Sequence, residues 1–235
     1  MKVNALVTGR GGNTMADKNI RHVNGKALVF YPSTAACESS TVQKVYLSSD
    51  DEKILNSVPE LNISKIKRPK ELSGHNAKHI DVIIHAINEI TNSDESPDIL
   101  VVLLANSVTV KSSWIDACVN MILNDSSIDS VVPVYKEQDH HPFRAKRVDE
   151  NGNLQPWFDF KEEYISTNRQ ELPDNFFLGH NFWVLNLKNG YLAGGGQKPW
   201  TFLGGKIKPY IVEECFDVHN ENDLKRCEKW LDQNQ

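Results

Sequence analysis

The most restrictive feature of this sequence is a run of consecutive apolar residues near its middle. Residues 98–105 read Asp-Ile-Leu-Val-Val-Leu-Leu-Ala, so every side chain after the first is apolar. A strand of this kind has to be covered on both faces, which is the situation of a central strand in a parallel sheet. We therefore expect residues 98–105 to form the central strand of the fold.

Shorter strand and helix patterns alternate along the rest of the chain. The spacing of Ile80, Ile83 and Ile87 predicts one buried face on a helix over 77–91. Such alternation implies right-handed crossovers and predicts an α/β fold with a doubly wound, mostly parallel sheet. The other predicted strands are 2–8, 42–48, 63–66, 130–134, 179–186 and 208–212. Two further helices are predicted over 26–39 and over 51–58, the second capped by Asp50 or Asp51. Another begins at a cap of Ser112 or Ser113 and ends at Asn124, and the last runs from Asn220 or Glu221 to Leu231.

One segment interrupts this alternation. Residues 144–148 and 153–158 flank the turn sequence Asp-Glu-Asn-Gly at 149–152, which predicts a β-hairpin. Just past it lie Trp157, Phe158, Phe160 and Tyr164, which form either a small satellite core or a subunit interface. We expect a single domain over 1–235 with a hairpin excursion at about 140–178.

Composition limits the classes of partner. The chain has 235 residues, is 40% hydrophobic and carries a net charge of −5, so it can bury one sizeable core but lacks the basic balance typical of proteins that bind nucleic acid or anionic membranes. Without a long apolar run or a signal-peptide pattern, it is expected to be cytoplasmic and not membrane-bound. Its four cysteines are widely spaced and make no Cys-x-x-Cys pair, which argues against a zinc knuckle or a redox motif.

A glycine-containing loop, residues 9–19, directly follows the first predicted strand. Glycines let the backbone approach a ligand closely, and Arg10 and Lys18 would give the loop a cationic lining suited to a polyphosphate. The loop matches neither the Gly-x-Gly-x-x-Gly motif nor the P-loop motif. The alternative is a tight turn between strand and helix with two solvated basic side chains.

The motifs of this region carry a resemblance. The run Arg-Gly-Gly-x-x-x-x-x-Lys-Asn-Ile at 10–20, followed by Asn-Gly-Lys at 24–26, resembles the opening of the sialate cytidylyltransferases, or CMP-N-acetylneuraminate synthetases. Here the loop is one residue shorter and lacks its internal lysine. The resemblance implies a nucleotidyltransferase of GT-A or Rossmann-like fold that dimerises through the excursion.

The implied reaction is CTP-dependent. A 2-keto-3-deoxy sugar acid, either a sialic acid-like nonulosonate or an octulosonate, is converted to its CMP-sugar, and pyrophosphate is released. Arg10, Lys18 and Asp217 are then the candidate catalytic residues. The implied nucleotide-binding residues are Arg10, Gly11, Gly12, Asn13, Lys18, Asn19 and Arg68.

Arg68 belongs to an Arg-Pro pair at 68–69, and the family carries such a pair here too. By this resemblance Arg68 and Asn19 read the base or the ribose of the nucleotide. The alternative for Arg68 is a surface arginine beside a loop proline.

The metal is expected to be Mg²⁺ at Asp217-Val218-His219, where the family has Asp-x-Asp. Magnesium prefers oxygen ligands, so His219 either acts through a water molecule or makes the site tolerant of Mn²⁺. The alternative is that Asp217 caps a turn and that His219 is a surface residue.

Acceptor-binding residues are implied at three further places. The motif His-His-Pro-Phe-Arg at 140–144 resembles His-His-Pro-x-Lys, which gives Arg144 the sugar-acid carboxylate as its partner. His180 and Asn181 stand where the family has Arg-Pro-Asn-Gly, and Asn106 follows the central strand. The paired histidines do not predict a zinc site, because neighbouring residues of a strand point to opposite sides.

Two other functions remain open. A glycosyltransferase of similar fold would also carry an acidic metal motif, but that motif normally follows a strand in the middle of the chain, whereas Asp217 lies near the C-terminus. The second is a nucleotide-binding relative that has lost turnover through its shortened loop and through His219.

Overall fold

A central sheet organises the computed structural model, which describes residues 1–12, 15–74, 76–190, 192 and 194–234. The strands are β1 Val3–Thr8, β2 His22–Val23, β3 Lys26–Ala27, β4 Lys44–Ser49, β5 Ser64–Lys67, β6 Ile99–Leu104, β7 Ser130–Lys136, β8 Lys146–Val148, β9 Leu154–Pro156, β10 Phe176–Leu178, β11 Phe182–Asn186 and β12 Ile207–Ile211. The helices are α1 Phe30–Glu38, α2 Glu52–Leu55, α3 His79–Ser93, α4 Ser112–Asn124 and α5 Glu221–Asn234.

The main sheet has the order β5-β4-β1-β6-β11-β7, with β10 beside the carboxyl end of β7 and β12 along the other edge of β7. Strands β1, β4, β5, β6, β7 and β12 run in one direction, and β10 and β11 run in the other. The predicted doubly wound, mostly parallel sheet is therefore confirmed. So is the central position of the apolar strand β6, which lies between β1 and β11.

Side chains of β6 alternate between two hydrophobic layers. Val101 and Leu103 pack with α1 and α4 on one face of the sheet, whereas Leu100 and Val102 pack with α3 on the other. All four are fully buried, and burial of one such side chain contributes roughly 1.5–3 kcal/mol to folding. The sheet is thus covered on both faces, which is why its central strand β6 carries no polar side chain.

Two predicted helix starts were wrong. The helix predicted over 26–39 begins at Phe30, because the chain first makes the β2–β3 hairpin. Asn24 and Gly25 at its turn have φ values of 46° and 78°, as the two central residues of a type I′ turn require. At α4 the N-cap residue is Lys111, which makes no side-chain cap, so neither Ser112 nor Ser113 caps this helix. At α2 the predicted cap is confirmed, since the carboxylate of Asp51 accepts from the backbone N–H of Lys53.

The predicted hairpin excursion is confirmed as β8 and β9. Its turn is held by Asp149, whose Oδ1 accepts from the backbone N–H groups of Asn151 and Asn153 at 3.0 and 2.8 Å. The rings of Phe143, Phe158 and Phe160 contact one another beside it. The chain re-enters the main sheet at β10.

The C-terminal helix α5 closes the structure near the first loop. Trp230 and Leu231 pack in a third hydrophobic cluster with Val23, Leu28 and Val108. The segment before α5, which contains Asp217, is thereby held against the edge of the sheet where β1 and β6 end. Within the described ranges, none of the helices has the length and apolar character needed to cross a membrane.

Candidate active site

A cleft opens where the parallel strands β1, β4 and β6 end. Carboxyl ends of parallel strands meet at one edge of a sheet, and α/β proteins bind their ligands at that edge. The cleft gathers side chains from segments that are far apart in the sequence. Its lining residues are Thr8, Gly9, Arg10, Lys18, Asn19, Arg68, Leu72, Gly74, Ala77, His79, Val82, Leu104, Asn106 and Asp217.

The loop after β1, residues 9–19, is held in place by polar contacts. Gly11 N donates to Asp50 Oδ1 at 3.0 Å, and Asn19 Nδ2 donates to Arg10 O at 2.9 Å. At Gly9 a Cβ atom would lie 2.9 Å from Ala105 Cβ, so only glycine fits there. Gly12 has φ 54°. The predicted nucleotide contact at Asn13 lies outside the described residues.

Arg10 and Lys18 both line the cleft. Burial lowers the pKa of Lys18, and the positive charge of Arg10 lowers it further, whereas the negative charges of Asp217 and Asp223 raise it. The electrostatic cost of holding these cations close together is reduced when an anion binds between them. The alternative of two fully solvated basic side chains is therefore wrong for Lys18.

Arg68 is a buried residue with 5% of its surface exposed, so the interpretation as a surface arginine was wrong. Its Nη2 donates to Gly9 O at 3.2 Å and to Ser48 O at 2.8 Å, and its Nε lies 3.4 Å from Ser48 Oγ. Burial lowers its pKa to about 10, and nearby Arg10 adds to this effect while Asp50 opposes it. The guanidinium thus ties the end of β4 to the first loop, and it still lines the cleft.

Asp217 makes two polar contacts. Its Oδ2 accepts from Asn106 Nδ2 at 3.0 Å, and its Oδ1 lies 3.1 Å from His219 Nε2. The turn before α5 is capped instead by Asp223, whose Oδ2 accepts from His219 N and Asn220 N. The alternative in which Asp217 caps a turn is therefore wrong, although His219 is largely exposed, as that alternative expected.

Three predicted acceptor residues do not line this cleft. Arg144 is exposed in the excursion, with Nη1 3.4 Å from Asp139 O. Asn181 is fully buried, and its Nδ2 donates to Thr109 O at 2.6 Å. His180 lies against the rings of Trp183 and Trp200, with centroids 6.2 and 5.7 Å away.

His141 of the paired histidines has a structural role. Its Nδ1 accepts from Phe143 N and its Nε2 contacts Pro173 O, both at 3.1 Å. Across the described ranges, no three His, Cys, Asp or Glu side chains form a cluster that could hold a metal ion.

Sequence reasoning missed Thr8, His79 and Asp50. His79 is the first residue of α3, and its Nε2 lies 3.0 Å from Thr8 Oγ1. Burial lowers the pKa of His79 to about 4, helped by the charges of Arg68 and His180, so the imidazole is neutral at pH 7. A lone histidine within a helical pattern gives no sequence signal for such a role. Asp50 could have been found, since it directly follows a strand end.

These features define a class of protein. It is an α/β protein with a cation-lined cleft at the carboxyl edge of its sheet. Cations, a carboxylate and the apolar side chains Leu72, Ala77, Val82 and Leu104 all line this cleft.

Comparison with known proteins specifies the family. A family model described as cytidylyltransferase matches residues 5–178. The match covers well over half of the chain and includes the first loop, Arg68 and Asn106. The chain belongs to the cytidylyltransferase family.

Among curated proteins the chain resembles N-acylneuraminate cytidylyltransferases. It is 26% identical over 229 residues to that of Streptococcus agalactiae serotype V, a match that covers 95% of this chain and 52% of the relative. It is also 26% identical over 152 residues to N-acylneuraminate cytidylyltransferase A of Danio rerio, covering 64% of this chain and 34% of the relative. The chain spans about half the length of the streptococcal relatives.

Similar solved structures support the fold. CMP:2-keto-3-deoxy-manno-octonic acid synthetase, in a complex with CTP, matches with a TM-score of 0.71 and 12% identity over 100% of both chains. 4-Diphosphocytidyl-2C-methyl-D-erythritol synthase from Anaerococcus prevotii matches with a TM-score of 0.63 and 13% identity, covering 98% of this chain and 96% of that one. At these identities the likeness establishes the fold alone.

Proposed function

We propose that this protein is a CTP-dependent cytidylyltransferase that activates a 2-keto-3-deoxy sugar acid. The observation that carries the proposal is the cleft, in which Arg10, Lys18, Arg68, Asn106 and Asp217 meet from distant parts of the chain. Membership of the cytidylyltransferase family supports CTP as the donor. The relatives named N-acylneuraminate cytidylyltransferase support a sialic acid-like acceptor.

In the proposed reaction the anomeric hydroxyl oxygen of the sugar acid attacks the α-phosphorus of CTP. The new O–P bond forms as the bond to pyrophosphate breaks, and the hydroxyl proton is lost to a base or to water. No covalent enzyme intermediate is required. The protein's main contribution is to orient both substrates and to stabilise the negative charge that moves onto the departing pyrophosphate.

Arg10 and Lys18 are the proposed triphosphate ligands. Both line the cleft, and their mutual repulsion is relieved by a bound polyanion. Charge-assisted contacts of this kind are stronger than neutral hydrogen bonds and position the phosphates as well as neutralising them. Asn19, also in the lining, supports the first loop through its bond to Arg10 O and is the proposed neighbour of the base or ribose.

The donor set around Asp217 fits one Mg²⁺. Magnesium is commonly held by one or two carboxylates together with substrate phosphates and water, so a full cluster of protein ligands is not required. Asp217 would hold the ion, and His219, 3.1 Å from its Oδ1, would act through water or accept Mn²⁺ directly. When bound, the metal would neutralise charge on the leaving pyrophosphate.

We further propose a homodimer formed through the excursion. Trp157 is 59% exposed and Tyr164 86% exposed, and the same excursion contains the exposed Val148 and Leu154. Large exposed apolar side chains that lie together are typical of interaction surfaces. Because Arg144 belongs to this excursion and does not line the cleft of its own chain, we propose that it meets the acceptor carboxylate in a second copy.

The alternative function, a nucleotide-binding relative without turnover, is favoured by one observation. The chain has a histidine at position 219 in place of a second carboxylate. Pyrophosphate release separates the two functions. The protein is incubated with CTP, Mg²⁺ and, in turn, sialic, legionaminic, pseudaminic and octulosonic acids. We expect release that depends on one of these acids. Tight CTP binding without release from any acid, with Mg²⁺ or with Mn²⁺, contradicts the proposed activity and supports the binding-only relative.

A further inference from the structure

The inner part of the cleft contains a histidine that neither the motifs nor the comparisons assign. We propose that His79 selects the base of the nucleotide by accepting a hydrogen bond from the exocyclic amino group of cytosine at its Nδ1 atom. This inference rests on the proposed function, because it assumes that a pyrimidine nucleotide occupies the cleft.

The hydrogen bonds of Thr8 fix the tautomer of His79. The hydroxyl of Thr8 has a single hydrogen, which we assign to the contact with Leu103 O at 3.3 Å. The contact of 3.0 Å between Thr8 Oγ1 and His79 Nε2 then requires the imidazole to donate from Nε2. A neutral imidazole with its proton on Nε2 carries a lone pair on Nδ1, so that atom is a hydrogen-bond acceptor.

The imidazole has room for one more partner. Within the described residues, the contact with Thr8 is the one hydrogen bond found for the ring, and the ring of Trp183 lies against it with centroids 5.4 Å apart. His79 lines the cleft, so the remaining acceptor can be reached by a ligand there. The neutral form is maintained at pH 7, because burial lowers the pKa to about 4, with smaller effects from Arg68 and His180.

The surroundings of His79 suit a planar base. Leu72, Ala77, Val82 and Leu104 supply apolar lining, and Val82 follows His79 by one helical turn on the same face of α3. The charge of Asp217 acts on Lys18, whereas Arg68 is the cation whose charge acts on His79.

Arg68 supplies the complementary donors. Its Nε and Nη2 bond to Ser48 and Gly9, whereas within the described residues its Nη1 has no hydrogen bond to the protein. Cytosine presents acceptors at O2 and N3 and a donor at its amino group. Uracil presents a carbonyl oxygen in place of that amino group and an N–H at N3. A donor from Arg68 together with an acceptor from His79 therefore matches cytosine and opposes uracil.

Binding of CTP and UTP to four proteins tests the inference by calorimetry: wild type, His79→Leu, His79→Asn and Thr8→Val. The last variant removes the hydroxyl that fixes the tautomer while keeping the shape of the side chain. His85→Leu is the control, because His85 lies on α3 but does not line the cleft. Melting temperatures identify any variant that fails to fold.

We expect wild type to prefer CTP over UTP, and His79→Leu to reduce that preference about 10-fold or more, as loss of a hydrogen bond to a buried polar group predicts. His79→Asn keeps a polar atom near the position of Nδ1, and Thr8→Val leaves the acceptor present but unfixed, so both should lose less of the preference. The control should retain all of it.

A preference unchanged in both His79 variants, with wild type still selecting CTP, overturns the role of His79 and leaves the proposed function intact. A wild type that binds neither nucleotide, or binds both equally, overturns the inference, and the absence of any binding contradicts the proposed function as well.

Discussion

The carboxylate of Asp217 is hydrogen-bonded to Asn106, whose Nδ2 lies 3.0 Å from Asp217 Oδ2. The backbone joins the same residues, because Val218 N donates to Asn106 O at 3.0 Å. The segment before α5 is thereby fastened to the end of the central strand. Asn106 therefore orients Asp217, and it also lines the cleft, where the motif predicts a substrate contact.

This relationship predicts the effect of Asn106→Ala. The backbone bond to Val218 remains, so the fold should persist, but the carboxylate loses its orientation. Loss of a residue that orients a metal ligand typically lowers metal affinity or activity about 10- to 100-fold. The measurement is the rate of pyrophosphate release against Mg²⁺ concentration, with Asn189→Ala, far from the cleft, as the control. An unchanged Mg²⁺ requirement contradicts the orienting role.

Removal of either cleft cation should weaken CTP binding. In Arg10→Ala or Lys18→Ala one charge-assisted phosphate contact is lost, at a cost of roughly 1.5–3 kcal/mol, or about 10- to 150-fold in Kd. Calorimetry with CTP measures this. Lys26→Ala is the matched control, because Lys26 pairs with Glu60 at the surface outside the cleft. Equal affinity in all three variants rejects the loop as the phosphate site.

The exposed aromatic surface of the excursion predicts a homodimer. Sedimentation at micromolar concentration should show a dimer that dissociates in Trp157→Ala, since a large apolar contact at the centre of an interface is lost. Ile211→Ala is the control, because Ile211 is 64% exposed but lies on β12 outside the excursion. A monomeric wild type excludes this assembly.

Burial of His79 predicts a loss of stability in acid. The unfolded chain binds a proton near pH 6.5, whereas folded His79 has a pKa of about 4. As pH falls from 6.5 to 4, the unfolded state takes up the proton and folding is disfavoured, by about 2 kcal/mol at pH 5. Urea unfolding at pH 7 and pH 5 should therefore show a larger loss for wild type than for His79→Asn. Parallel losses in both proteins contradict this burial effect.

Local patterns in the sequence were sufficient to predict every strand of the main sheet except β10. The apolar run that became β6 and the spacing of α3 each specify one element and the face that it buries, because neighbouring residues alone determine periodicity. The predicted helix start at Lys26 was also wrong for a local reason. Asn24 and Gly25 are a hairpin signal, and the turn that they form uses Lys26 in a strand.

The site could be predicted only in part. Arg10 and Lys18 are close in sequence and were found as a pair, whereas His79 and Thr8 meet only because α3 starts beside the end of β1. The burial of Arg68 follows from carbonyl groups that the sheet edge leaves available at Gly9 and Ser48. Such partners are backbone atoms, which the identities of residues do not reveal.

The proposed metal ligands Asp217 and His219 offer the most direct test of the account. Asp217→Asn should abolish nearly all turnover while the fold is retained, because the negative charge that would hold the proposed metal ion is lost. His219→Asp should keep or improve activity with Mg²⁺, since it adds an oxygen ligand beside Asp217. A direct imidazole ligand predicts instead that wild type prefers Mn²⁺ and that this preference shrinks in His219→Asp.

The deciding measurement is the rate of pyrophosphate release from CTP and the accepted sugar acid, for wild type and Asp217→Asn with saturating Mg²⁺. The account predicts rapid, acid-dependent release from wild type and almost none from Asp217→Asn at equal melting temperature. Equal rates from the two proteins would contradict it, because the reaction would then not depend on the carboxylate at the centre of the proposed site.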